Sequence, residues 1–434
     1  MEMPNIRVPQ SVKSFVKGSA IAILILLMLI PTAFVSDLID ERAARQREVV
    51  AEVSSKWASA QTLSGPFLYV PFKHVSTDTE GKIVETLQYF WILPENLEVT
   101  GDIRHQVRTR SIFKVLLYQA ALHNKGSFII NIPKDIDPAT IQWQEIRICY
   151  GLSDFKGIEE RIVIRFNEAD NELSPGLPQK DLADIGLSAP VPLDRADIGK
   201  RISFSSGVRI KGSERLHFIP LSGNSSFSLR SDWPSPSFDG NILPSERNLS
   251  DSGFTASWIF NKANLPFGTV LKDVSFDERT LAFGLTLIQP ADQYAKAQRT
   301  VKYAILIIGL TFSLFFIVEM MQKKPVHPVQ YVLIGMALVI FYTLLLSISE
   351  FVPFDIAYLI AMLSTISLVA LYAKGHFGNW RAAGIFAGIL TLLYGFIFVL
   401  IRLEDTALLV GSIGLFIILS IAMYASRKVN WYGK

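Results

Sequence analysis

A single cysteine, Cys149, stands among 434 residues, so no internal disulfide can form and stability must come from packing. Charge is scarce as well. Asp, Glu, Lys and Arg make up 19% of the chain against 50% hydrophobic residues, and the mean hydropathy is +0.32. That balance is too apolar for an ordinary soluble protein of this length and too polar for a pure bundle of membrane helices. Where charge is found, neither sign dominates: residues 36–302 hold 31 Lys and Arg and 33 Asp and Glu. With no basic stripe, nucleic acid is not an expected partner. Catalytic fingerprints are missing too. The chain has no H-E-x-x-H, G-x-S-x-G, P-loop or dinucleotide-binding pattern. Ser111 and Lys114 fit S-x-x-K, but in strand-like sequence with neither S-D-N nor K-T-G downstream, so that match is set aside. No enzymatic activity, metal or cofactor is expected.

What the chain has in quantity is long apolar runs. Residues 303–321 and 330–347 each approach the ~20 residues that a helix needs to cross ~30 Å of hydrocarbon. Lys323, Lys324 and His327 form a short basic turn between them, and short loops rich in Lys and Arg are held on the cytoplasmic side. Residues 354–373, 383–401 and 407–425 add three further runs, and residues 20–35 form one near the start. No cleavage site follows that first run: Pro31 precedes Ala33 and bulky Phe34 precedes Ser36, so an uncleaved anchor with Lys17 at the cytoplasmic interface is expected. The expected architecture is an α+β membrane protein with a six-helix transmembrane bundle and a large antiparallel, β-rich, sandwich-like domain inserted after the first helix. Its segments are a cytoplasmic N-terminus (1–19), an anchor (20–35), an amphipathic stalk helix (36–64), the β-rich domain (65–302), five bundle helices (303–425) and a cytoplasmic C-terminus (426–434). Arg7, Lys13, Lys17, Lys374, Arg381, Arg427 and Lys428 fall on the inner side of this scheme. Arg42, Arg45 and Arg47 run against it, but long domains are translocated largely regardless of such charge.

Within the polar part, residues 36–63 keep helical spacing, and from Phe67 onward the period becomes that of strands. Segments such as FLYVPF, TLQYFWIL, RIVIRF and GFTASWIF are short, rich in β-branched and aromatic residues, and cut by turn residues. Such a series is expected to form an antiparallel sandwich or barrel. The proline-bearing stretch 171–197 reads as a long connection between two lobes. The insert 232–253 reads as a surface loop in which Trp233 is a candidate ligand contact.

Three polar residues in the helical part are candidate sites. Glu319 lies in an apolar run, where a carboxylate is costly unless paired, protonated or wet. It reads either as a proton or ion site or as an interfacial carboxylate paired with Lys323, and its place near the helix end favours the second. His327, before Pro328, is a turn-shaping or capping residue or a proton relay. Glu350 either ends its helix at the water interface or lines a polar mouth there. Cys149, between apolar neighbours in a strand, reads as a small buried residue.

Six blocks carry a family resemblance: GPFLYVPF (65–72), SIFKVLLYQAALHNKGSF (111–128), DWPSPSF (232–238), VKYAILIIGLTFSLFFIVE (301–319), HPVQYVLIGMALVIFYTLLLSISEF (327–351) and AYLIA (357–361). With these the chain resembles the CreD family of inner-membrane, cell-envelope integrity proteins of Gram-negative bacteria. The resemblance implies a multi-pass protein of the bacterial inner membrane with a periplasmic domain, linked to envelope stress, and it implies no established catalysis. Membrane lipids and an unidentified envelope protein or ligand are the partners that follow from it. After residue 373 the reading rests on hydropathy alone. A transporter or flippase using the bundle is the alternative, suggested by Glu319, His327 and Glu350.

Overall fold

The computed structural model describes residues 10–77, 83–274, 276–287, 293–322, 324–403 and 406–426. The chain divides into a helical unit, Met1–Arg47 with Ala291–Lys434, and a β unit, Glu48–Pro290.

The expected anchor and stalk are one helix. α1, Gln10–Trp57, continues unbroken past Pro31 and past residue 35, where the apolar run stops. Hydrocarbon offers a backbone no partner other than its own ladder, which keeps a helix intact around a proline. The change from apolar to polar sequence therefore marks a change of surroundings and not of secondary structure. The helix stops before residue 58, and the first strand begins at Gln61, ahead of the expected boundary at residue 65.

The remaining helices are α2 (Gln293–Lys302), α3 (Ala304–Gln322), α4 (Pro328–Ser349), α5 (Phe354–Phe377), α6 (Trp380–Arg402) and α7 (Ala407–Ser426). By length and composition α1 and α3 to α6 can cross a membrane, while the described apolar part of α7, Ala407–Ile418, is shorter. α2 falls in the segment assigned from sequence to the β domain. It belongs to the helical unit, and Tyr294, Ala297 and Thr300, three residues apart, form its buried stripe.

The β unit contains seventeen described strands. The first nine are β1 (Gln61–Thr77), β2 (Ile83–Ile92), β3 (Asn96–Arg110), β4 (Phe113–Ile129), β5 (Arg147–Gly151), β6 (Val163–Phe166), β7 (Ala169–Glu172), β8 (Ser174–Pro175) and β9 (Gly186–Pro190). Then come β10 (Arg201–Ser213), β11 (Arg215–Ile219), β12 (Asn224–Ser231), β13 (Pro236–Gly240), β14 (Glu246–Ser250), β15 (Gly253–Phe260), β16 (Val270–Leu271) and β17 (Phe283–Leu287). They build a nine-stranded sheet, β13-β17-β11-β1-β5-β9-β8 with β2 on β1 and β16 on β2, and an eight-stranded sheet, β14-β15-β12-β3-β4-β10-β6-β7.

Neither sheet is purely antiparallel. β1 runs parallel to β11 and β3 parallel to β12, so both sheets are mixed. Alternation in sequence tells which face a strand buries but not which strand lies beside it, and intervening strands supply the long crossovers that parallel neighbours need. Two inserts are corrected in the same way. The stretch 171–197 contributes β8 and β9 to the edge of the nine-stranded sheet and does not separate two lobes. The insert 232–253 is half strand, giving β13 to one sheet and β14 to the other.

Between the sheets lies one continuous core. Its aromatic centre joins both layers: Phe283 of β17 sits 4.8 Å from Phe227 and 4.7 Å from Phe260, ring centre to ring centre, and Phe218 lies 5.4 Å from Phe227. A smaller cluster on the outer face of the nine-stranded sheet includes Phe67, Trp91 and Cys149. There Asp181 accepts hydrogen bonds from the Tyr89 hydroxyl at 2.8 Å and the Trp91 indole at 3.2 Å. Burial pushes the Cys149 thiol up to about 12, so it packs as a neutral apolar group. Because Phe283 serves both layers, Phe283→Ala is expected to cost about 3–5 kcal/mol. Thermal unfolding of the full-length protein, followed by tryptophan fluorescence, checks it.

Candidate functional site

Glu319 is buried near the C-terminal end of α3, its side chain 9% exposed. Its ion-pair partner is Lys17 of α1, which also donates to the Val326 carbonyl at 2.9 Å. The same carboxylate accepts the Val326 amide at 3.0 Å and the Tyr331 hydroxyl at 3.1 Å. Lys323, the partner expected from sequence, lies outside the described residues. Lys17 therefore fastens the start of α1 to the end of α3 and the turn leading to α4. Three donors on one carboxylate offset the burial that would otherwise expel it.

Glu350 caps the far end of α4. It accepts from the Tyr294 hydroxyl at 3.2 Å and faces the Arg42 guanidinium at 3.8 Å. Arg42 had counted against the inferred orientation; its charge is matched by Glu350. Beside this pair Arg402 meets Asp355, and the Lys296 ammonium stands 5.7 Å from the Phe354 ring. The helical unit thus has two polar layers. Twenty-five residues separate Lys17 from Arg42 (42 − 17), about 37 Å of helix at 1.5 Å per residue, enough for the hydrocarbon and part of both interfaces.

His327 is the N-cap of α4. Its Nδ1 accepts from the Val329 amide at 3.3 Å, and its own amide donates to Gln330 Oε1 at 2.8 Å. Gln330 Nε2 in turn donates to His376 Nδ1 at 3.2 Å, and the Lys324 ammonium covers the Phe377 carbonyl at 2.7 Å. These contacts tie the turn before α4 to the end of α5 by satisfying groups that helix termini leave open. Glu319 and His327 are thus gathered at one end of the helical unit, and Glu350 stands at the other.

In the β unit Trp233 is half-buried. Its indole donates to the Ser235 carbonyl at 3.1 Å, and its ring centre lies 5.0 Å from that of His105. His105 Nδ1 is 2.7 Å from Asp232 Oδ1, so the segment carrying Trp233 is pinned to β3. The His105 contact holds the Asp232 carboxyl below its ordinary range despite opposing burial. A second pair lies across three strands. Asp239 of β13, Gly284 of β17 and His217 of β11 share one rung, and His217 Nε2 reaches over the side-chain-free glycine to Asp239 Oδ1 at 2.6 Å. A Cβ on Gly284 would lie 3.0 Å from the imidazole. The other Asp239 oxygen accepts from the Thr286 hydroxyl at 2.7 Å.

A concavity in the β unit lies on the outer face of the eight-stranded sheet. It has a volume of about 600 Å³ and is lined among others by His123, Lys125, Arg165, Ser205 and Gly207. Sequence reading did not single these out, because they come from three strands and each alone resembles a solvated strand position. Among the described residues no group of three or more His, Cys, Asp or Glu side chains is placed to hold a metal ion.

Two outcomes follow. Lys17→Ala leaves the Glu319 carboxylate buried without its cation and is expected to cost about 3 kcal/mol, the low end for a buried pair because Lys17 is 30% exposed. It should appear as a lower unfolding midpoint in detergent, with the Lys17→Ala/Glu319→Gln double variant losing less than the sum of the single losses. For His217, burial lowers the imidazole pKa below its ordinary 6.5 and outweighs Asp239. The unfolded chain therefore takes up the proton first, so the stability contribution present above 6.5 is lost as pH falls toward the depressed value. Subtracting His217→Gln melting points from those of the parent between pH 8 and 5 should expose that slope.

Comparison with known proteins follows the same outline. A family described as inner membrane protein CreD matches residues 13–432, including the last two helices. Inner membrane protein CreD of Escherichia coli K12 is 32% identical over 417 residues, covering 94% of this chain and 91% of that relative. Among solved structures, a putative nutrient binding protein of Legionella pneumophila is 7% identical over 59% of this chain and 77% of its own, with a TM-score of 0.27. An M1 zinc metallopeptidase of Deinococcus radiodurans is 7% identical over 48% and 53%, with a TM-score of 0.18. Neither structural likeness carries an argument. The match to the family spans nearly the whole chain, and the protein belongs to the CreD family of multi-pass inner membrane proteins.

Proposed function

We propose that the protein supports envelope integrity without catalysis, by presenting its β unit on the periplasmic side, where it binds an envelope component. The observation that carries this reading is the pairing of charges at both ends of the helical unit. Glu319 and Glu350 are each held by a cation from α1, and residues 18–36 of α1, 328–349 of α4 and 356–373 of α5 contain no Asp, Glu, Lys or Arg. Such a bundle is suited to anchoring. Orientation follows from charge: Lys17, Lys324, Lys374 and Arg381 belong to the layer that contains Glu319, which is accordingly cytoplasmic, and residues 48–290 are then outside. The chain enters and leaves that domain through α1 and α2, so it is tethered twice. The polar concavity on the eight-stranded sheet is the surface offered for binding.

Transport through the bundle is the second reading, and one observation favours it. Phe341 of α4 has three tyrosine rings around it, Tyr342 at 5.0 Å, Tyr358 at 5.5 Å and Tyr394 at 4.7 Å. The Tyr358 hydroxyl donates to the Tyr394 carbonyl at 2.7 Å, whereas the buried Tyr342 and Tyr394 hydroxyls have no partner among the described residues.

Glu319→Gln separates the readings. An anchoring role predicts that abundance falls first and that envelope sensitivity to detergent follows abundance. A transporter loses function at normal abundance. The binding role itself predicts that the full-length protein retains material from a solubilised envelope fraction; retention of none contradicts it.

A further inference from the structure

Gly207 occupies the middle of the thirteen-residue strand β10, where glycine weakens a sheet. Other glycines of the same sheet are required by their neighbours. A Cβ at Gly101 would meet Leu122 and Leu229 at 2.7 Å, at Gly126 the Asn96 carbonyl at 2.1 Å, and at Gly212 the Tyr118 hydroxyl at 2.3 Å. At Gly207 it would meet nothing nearer than the His123 ring at 3.9 Å, and the backbone there is not left-handed. Neither packing nor conformation accounts for this glycine. A bare strand centre of that kind is where something from outside approaches closely.

The surroundings are ordered by strand register. Glu98, Lys125, Ser205, Arg165 and Asp170 pair in sequence across β3, β4, β10, β6 and β7, forming one rung. Its centre is a small hydroxyl with a cation on each side, and each cation is held from beyond by a carboxylate, Lys125–Glu98 at 3.0 Å and Arg165–Asp170 at 3.3 Å. With strands ~4.8 Å apart, the two cationic residues stand about 10 Å apart across β10. On the next outward-facing rung Gly207 lies between His123 and Val163, with the glycine as floor. A second concavity of about 590 Å³ shares Glu98 and Lys125 and continues over Ser203, Asn224, Ser226 and Asn261.

The geometry points to this trough as a binding site for an extended, uncharged, polyhydroxylated chain, a glycan. An anion would have to compete with Glu98 and Asp170 for the cations they already hold. A sugar hydroxyl both donates and accepts, so it can accept a hydrogen bond from Lys125 or Arg165 while donating one to the neighbouring carboxylate. Among the described lining residues there is no Phe, Tyr or Trp, and the His123 imidazole is the one ring beside Gly207, so recognition is by hydroxyl edges more than by stacking on a sugar face. Two adjoining concavities fit several residues of a chain better than a single sugar. The assignment rests on the proposed binding role of the β unit and names its ligand class.

The test uses the full-length protein in nanodiscs. A β-1,4-linked N-acetylglucosamine tetrasaccharide and maltotetraose are titrated calorimetrically, with pyrophosphate as the anionic probe. Saturable binding of at least one tetrasaccharide is expected, insensitive to added salt, and weakened tenfold or more by Gly207→Leu and by Ser205→Leu at unchanged unfolding midpoints. Binding of pyrophosphate alone, binding of neither tetrasaccharide, or tetrasaccharide binding undiminished in both variants overturns the assignment. The same variants applied to a solubilised envelope fraction keep the two levels apart. Retention that survives Gly207→Leu refutes the trough and leaves a binding role elsewhere on the domain, whereas no retention by the parent protein refutes both.

Discussion

Lys17 meets Glu319 near the start of α1, Arg42 meets Glu350 further along the same helix, and the nineteen residues 18–36 between the two layers carry no charge. A carboxylate left alone in hydrocarbon costs several kcal/mol, so each acidic residue near a helix end needs a cation within reach. In this chain α1 supplies both. The consequence reaches beyond two ion pairs, because α1 is distant in sequence from α3 and α4 and a helix with an apolar middle gains little from helix association in lipid. The charges on either side of its apolar stretch set where along α3 and α4 it rests. The Tyr331 and Val326 contacts to Glu319, and the Tyr294 contact to Glu350, then fix the neighbouring turn and α2 to the same points.

The β unit solves its own problem differently. Without disulfides it relies on a two-layer apolar core centred on Phe227, Phe260 and Phe283, and it places its polar side chains in small closed sets. Asp181 ties an outer segment to Tyr89 and Trp91, Asp232 ties another to His105, and Asp239 spans Gly284 to His217. In each case an aspartate from a connecting segment or edge strand fixes it to the sheet. The trough over Ser205 and Gly207 differs, since its ion pairs stand in the open and its floor is left bare.

Much of the architecture was legible in the sequence because hydrocarbon thickness translates directly into run length. The five apolar runs after residue 302 correspond to α3 through α7, and the strand period was visible from Phe67 onward. Continuity of α1 was hidden, since polarity changes at residue 36 although helix does not. Pairing direction was hidden as well: β1 and β11 are buried on both faces where they pair, and nothing local marks them as parallel neighbours. Glu319 stood out as a carboxylate in an apolar run, but its partner lies 302 residues away, where a local search finds only Lys323. Trp233 drew attention as an aromatic among turn residues, and that turn composition proved to flank edge strands. The trough left a faint trace, the Ser-Phe-Ser-Ser-Gly run of β10, which gains meaning only once β4 and β6 are seen on either side.

Placement of the β unit outside the cytoplasm is the claim on which the anchoring role, the envelope partner and the glycan trough all depend. It can be tested in a Cys149→Ser background, which removes the single native thiol, with one new cysteine at Ser203 on the outer face of the eight-stranded sheet or at Asn379 between α5 and α6. Cells with a permeabilised outer membrane are treated with a membrane-impermeant maleimide before and after lysis. The account predicts that Ser203→Cys is labelled before lysis and Asn379→Cys only afterwards; the reverse pattern contradicts it.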